Sequence, residues 1–66
     1  MIAFTDKAGI QHSVENMSFE ESEHGNIKCT LLGLDDFGEA VPMGQGKGFS
    51  LSVAFLQALD TLGVEA

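Results

Sequence analysis

The spacing of apolar residues changes once along this chain, from a period of two to a period near 3.6, and that switch restricts the fold to strands followed by a helix. Ile2 and Phe4 alternate with Ala3 and Thr5, and Ile10, His12 and Val14 alternate with Gln11, Ser13 and Glu15. Asp6-Lys7-Ala8-Gly9 between them is a turn, so the first fifteen residues read as a hairpin. From Asn26 to Leu34 a third strand places Ile27, Cys29 and Leu31 on one face and Lys28, Thr30 and Leu32 on the other. Asp35-Asp36-Phe37-Gly38 is a second turn. Glu39-Ala40-Val41 returns as a fourth strand, which Pro42 is expected to end because it has no amide to donate.

The last third changes register. Leu51, Ala54, Phe55, Ala58, Leu59 and Leu62 fall on one stripe at 100° per residue, with Val53, Gln57, Asp60 and Thr61 facing away. Ser50 supplies an N-cap and Gly63 a C′ glycine, which sets a helix from about Phe49 or Ser50 to Leu62. Two connections are less regular. Ser18-Phe19-Glu20-Glu21-Ser22-Glu23-His24-Gly25 reads either as an acidic loop or as a short helical turn over Phe19 to His24, since Ser18 and Glu21 have capping-box spacing. Gly44-Gln45-Gly46-Lys47-Gly48 reads as a flexible hinge between sheet and helix. The expected architecture is a single α+β domain over residues 1–66: a three- to four-stranded antiparallel meander packed on one face by the C-terminal helix. Its core should comprise Ile2, Phe4, Ile10, Val14, Ile27, Cys29, Leu31, Leu51, Phe55, Leu59 and Leu62.

Residues able to do chemistry are few. Cys29, with His12 or His24, is the one nucleophile–base combination available, and Cys29 sits mid-strand on an apolar face with no cationic cluster to hold its thiolate. One Cys and two distant His do not make a zinc site, and Asp35, Asp36 and Glu39 lack the alternating spacing of a calcium loop. The glycine segment misses the Walker A pattern, because Lys47 is followed by Gly48, and the dinucleotide pattern, because Phe49 stands where the third Gly is needed. Neither an enzyme nor a bound cofactor or metal is expected.

Charge is the stronger signal. Ten Asp and Glu face three Lys, a formal net charge of -7, whereas phosphate-backbone binding needs the opposite balance. Direct nucleic-acid binding is therefore not expected. Neither is a membrane role, since no stretch approaches the roughly 20 apolar residues of a span. The lone Cys29 and an N-terminus without a signal-like pattern point to a cytoplasmic location. The acids group as Glu15, Glu20, Glu21 and Glu23 between the second and third strands, and as Asp35, Asp36 and Glu39 in the next turn. A meander would put these groups at opposite poles, with Asp6 joining the Asp35 group.

From Asn26 onward, the order of strand, acidic turn, strand, Gly-rich segment and Ala/Leu helix resembles the C-terminal half of double-stranded RNA-binding domains, over about 40 residues. Ala54, Ala58, Leu59 and Leu62 match that family's helix-packing pattern. Ser50, Leu51, Ser52 and Val53 stand where its phosphate-gripping lysines would, Lys47 alone remains, and a hairpin replaces its N-terminal helix. The resemblance implies architecture without RNA binding. In size, acidity and lack of chemistry, the chain also resembles small phage-encoded anti-CRISPR proteins of the nucleic-acid-mimic kind. That resemblance implies an inhibitor occluding a basic protein surface, such as a CRISPR effector subunit, with Glu20, Glu21, Glu23, Asp35, Asp36 and Glu39 as the partner-binding residues. The alternative is a generic interaction or assembly module whose acidity keeps it soluble.

Overall fold

A computed structural model describes residues 2–64 of the chain. The elements run β1 (Ile2–Thr5), β2 (Gln11–Val14), β3 (Asn16–Glu21), β4 (Ile27–Leu34), β5 (Ala40–Gly48) and α1 (Leu51–Thr61). β1 and β2 form a hairpin that is a sheet of its own, and β3-β4-β5 form an antiparallel sheet with β4 in the centre. The α+β fold with a C-terminal helix packed on the sheet is thus present, with one strand more than the meander expected. The extra strand is β3. It takes in Ser18 to Glu21 of the stretch read as an acidic loop or helical turn, whose remaining residues form the turn into β4, and it aligns Met17 and Phe19 with Leu31 and Cys29 of β4.

One loop chemistry closes all three hairpins. In Asp6–Ile10, Ser22–Asn26 and Asp35–Glu39 the first residue's side-chain oxygen accepts the main-chain N–H groups two and four residues on, at 2.9 to 3.3 Å. The fourth residue, Gly9, Gly25 or Gly38, takes a φ between +76° and +83°, which glycine adopts without a Cβ penalty. This is a type I turn followed by a left-handed glycine, the three-residue hairpin loop. Ser22-Glu23-His24-Gly25 carries the same signature as Asp6-Lys7-Ala8-Gly9 and Asp35-Asp36-Phe37-Gly38.

The larger departure concerns the glycine segment. Gly44, Gly46 and Gly48 lie inside β5, alternate along it, and all face the helix. A Cβ built at Gly46 would meet Ala54 O at 2.5 Å and the main-chain carbon of Gln57 at 2.6 Å. Facing these glycines, Ala54 and Ala58 are fully buried. The helix therefore lies almost directly on the β5 backbone, and the glycines are a packing surface. β5 also runs through Pro42, which an edge strand accommodates, with a register shift between Leu31 and Leu32.

The helix ends are as expected. Ser50 Oγ accepts the Val53 N–H at 3.2 Å, and Gly63 at φ +85° closes a Schellman motif through Gly63 N–H to Asp60 O and Val64 N–H to Leu59 O. Thr61 does not face away: its hydroxyl donates to Ala58 O at 2.6 Å and accepts the Gln45 N–H at 3.2 Å, tying the helix to the outer edge of β5. The hairpin packs beside the helix, with the Phe4 and Phe55 rings edge to face at 6.1 Å and 60° and the Lys7 N–H bonded to Gly63 O.

The buried core is small: Val14, Cys29, Leu31, Ala54, Ala58, Leu59 and Val64, with Phe4, Met17, Ile27, Met43, Phe55 and Leu62 packed against it. Three residues expected there are exposed. Ile2 lies at the open end of the hairpin, Ile10 precedes β2, and Leu51 is in the first helical turn. The body is a slab of 35 × 27 × 14 Å. No helix among the described residues is long and apolar enough to cross a membrane.

Candidate functional site

Six of the acidic residues stand in two groups at the two ends of β4, whose first and last residues are seven steps apart, roughly 24 Å at about 3.4 Å per residue. Glu20 pairs with Lys28 and Glu21 with Ile27 at the start of β4, and Glu23 lies in the adjoining turn. Asp35 and Asp36 follow the end of β4, and Glu39 precedes Ala40, the partner of Leu34. Two premises behind the expected poles change. Glu15 sits at the opposite end of β3 from Glu20, where its N–H donates to Leu32 O at 2.8 Å, so it does not crowd Glu23. Asp6 belongs to the separate hairpin, and its turn bonds to Gly63 beyond the helix C-terminus.

The carboxylates are not equivalent. Asp35 Oδ1 is occupied by the N–H groups of Phe37 and Glu39, so Asp35 builds its turn before it can meet a partner. Asp36, Glu39, Glu20, Glu21 and Glu23 are exposed.

The sheet face away from the helix is uncovered and carries cations that sequence reading had not grouped. Lys28 and Lys47 are direct cross-strand partners, with Glu20 beside Lys28 on the other flank. Like charges directly opposite cost stability, and Glu20 offsets part of that cost. Around them Glu20, Glu21, Ser22, His24, Asn26, Lys28 and Lys47 line a shallow depression of about 320 Å³. The turn motif in Ser22-Glu23-His24-Gly25 fixes β3 against β4 and could have placed Glu20 beside Lys28, but not Lys47 of β5.

Cys29 is fully buried, and burial raises its thiol pKa, which disfavours the thiolate. Among the described residues no group of three or more His, Cys, Asp or Glu is placed to hold a metal ion.

His12 and Asp6 are hydrogen-bonded at 2.8 Å, with His12 Nε2 against Asp6 Oδ2 while Asp6 Oδ1 holds the turn. The hydrogen bond from His12, reinforced by the Ile10 N–H, lowers the Asp6 pKa. A carboxyl whose folded pKa lies below its unfolded one adds stability above the unfolded value and loses it as pH falls through the folded value. Acidification below the ordinary aspartate value of about 3.9 should therefore loosen the β1–β2 hairpin. Amide exchange at Lys7 to Ile10, followed by NMR from neutral to acid pH, should show this opening, and Asp6→Asn, which does not titrate, should flatten the pH dependence. Identical pH profiles for the two proteins would show that Asp6 is not the titrating group.

In comparison with known proteins, the chain matches no protein-family model, no curated protein sequence and no solved structure at a significant level.

Proposed function

We propose that this protein is an acidic binding module that occludes a basic surface on a protein partner. The partner class that the resemblance to small acidic anti-CRISPR proteins implies is a nucleic-acid-handling complex, such as a CRISPR effector. The observation that carries this reading is the distribution of charge. A net -7 is spread over a slab 14 Å thick, with exposed carboxylates at both ends of β4 and, among the described residues, no buried polar or charged one. Such a surface steers basic partners by its field.

The test starts with capture of partners from a bacterial lysate and continues with association kinetics against the one recovered. The on-rate should fall steeply as ionic strength rises from about 0.01 to about 0.15 M and the Debye length shrinks from about 30 to about 8 Å. Glu20, Glu21 and Glu23 changed together to Lys report on one end, and Asp36 and Glu39 changed to Lys report on the other. Asp35 is kept, because its carboxylate builds the turn. At least one charge-reversed protein, shown to be folded by thermal melt, should associate ten or more times more slowly, about 1.4 kcal/mol per factor of ten. Wild-type rates for both variants across that salt range would leave acidity as a solubility device.

A further inference from the structure

The two outer edges of the three-stranded sheet are finished differently. On β5, Pro42 offers no N–H, the register shifts between Leu31 and Leu32, and Thr61 Oγ1 takes the outward N–H of Gln45. Such features stop an edge strand from pairing with another chain. β3 is blunted only at its start, where a side chain takes one outward amide. Its six residues contain no Pro and no Lys, its register against β4 is unbroken, and all but Met17 are exposed. Antiparallel ladders alternate bonded and non-bonded pairs, and the bond from Ser22 N–H to Asn26 O at 2.8 Å sets the phase. In that phase the main chain of Met17, Phe19 and Glu21 points outward. Asn16 Oδ1 accepts the Met17 N–H at 2.9 Å, which leaves the Phe19 and Glu21 amides presented at the edge.

We propose that β3 is a strand-addition site for a basic, extended segment of a partner protein, paired antiparallel to it. This rests on the acidic-module reading above and specifies where and how the partner binds. Charge selects the occupant: Glu15, Glu20, Glu21 and Glu23 border or lie on β3, with no cation between positions 15 and 23. A second copy would bring the same -7 to the edge. The faces select its pattern. On the helix side the added strand lies beside Met17 and Phe19, the latter 44% exposed, and on the other side beside Ser18 and Glu20. A segment alternating apolar residues with Lys or Arg fits both, its main-chain bonds supplying affinity and its side chains specificity.

The probe is a capped peptide of alternating Lys and Val, matched to β3 in length. Bound antiparallel with Val on the helix side, it turns its Val amides toward β3. Binding should slow hydrogen exchange at Phe19 and Glu21 about tenfold or more. N-methylation of every Val should abolish binding, and N-methylation of every Lys should leave it. Glu21→Pro, checked by thermal melt, should lose more affinity than Glu21→Gln, which removes the charge and keeps the N–H. Binding that survives Val methylation but falls in the Gln variant overturns strand addition and leaves the acidic reading intact. No binding of the unmodified peptide at about 1 mM overturns the proposal, and the partner kinetics judge the acidic reading separately. Protection of Phe19 and Glu21 that grows with protein concentration alone, together with a dimer in light scattering, makes the occupant a second copy and overturns it too.

Discussion

Gly46→Ala is expected to unfold the domain or bring it to the edge of unfolding, although the substitution adds one methyl group. The walls around that methyl are helix backbone: Ala58 N, Ala54 O and Gln57 C all fall within the radius a Cβ needs. Backbone cannot rotate away as a side chain can, so the helix must lift, and lifting it exposes Ala54, Ala58 and Leu59 together. Overpacking in a core costs about 1–3 kcal/mol when neighbours can yield, and here they cannot. A domain of this size has a total stability of about 3–5 kcal/mol. Gly38→Ala is the matched control. Its Cβ would meet nothing within 4 Å, and the change costs only the left-handed backbone at φ +76°, about 1–2 kcal/mol. Urea titrations followed by circular dichroism should rank Gly46→Ala well below Gly38→Ala. The reverse order would mean that the helix does not sit on β5 at contact distance.

That contact explains why the sequence was legible in some places and not in others. Most self-contained local chemistry is readable: the Asp-x-x-Gly turns, the Ser50 cap, the Gly63 terminus and the 3.6-residue stripe each depend on residues within a few positions, while the Ser22 turn, equally local, is masked by the helix-like Ser18/Glu21 spacing before it. Gly-Gln-Gly-Lys-Gly was misread because glycine weakens a strand locally, and only a helix arriving from later in the chain gives each glycine a reason to be there. β3 was missed for a related cause. Asn16-Met17-Ser18-Phe19-Glu20-Glu21 has two apolar residues at a strand spacing, and its acids and the Ser18/Glu21 pair imitate a helix start. Pairing with β4 outweighs that imitation, because it places Met17 beside Leu31 in the core and satisfies the main chain at the same time.

The candidate site was legible as composition and not as geometry. Glu20, Glu21, Glu23, Asp35, Asp36 and Glu39 do stand at two ends of the sheet, but once β3 is a strand Glu20 and Glu21 change role from loop decoration to part of an outer edge strand. Asp35 changes in the other direction, one of its carboxylate oxygens being taken by the Phe37 and Glu39 amides. The pairing of Lys28 with Lys47 could not be read at all without the register of β5, which the glycines had hidden.

Leu31→Ala is the second large effect expected, and its size relative to Phe55→Ala tests where the core lies. By its place in the helical stripe Phe55 is the obvious anchor, and a fully buried Phe cut to Ala costs about 3–5 kcal/mol. In the folded protein, however, Phe55 is half-buried at the flank of the helix, where its ring meets Phe4 of the hairpin. Roughly half of that cost should therefore apply, and the loss should fall mainly on docking of β1 and β2. Leu31 is at 0% exposure on the central strand, aligned with Met17 on one side and Gly44 on the other. Gly44 has no side chain and the helix already touches the β5 backbone, so neighbours have little freedom to refill the space left by Leu31. Its truncation should reach the upper part of the 2–5 kcal/mol range for buried leucines, comparable to the whole stability of the domain. In urea titrations Leu31→Ala should be unfolded or nearly so, while Phe55→Ala still shows a cooperative transition with faster amide exchange in the hairpin. A Phe55→Ala protein less stable than Leu31→Ala would place the centre of the core between helix and hairpin instead of between helix and β4.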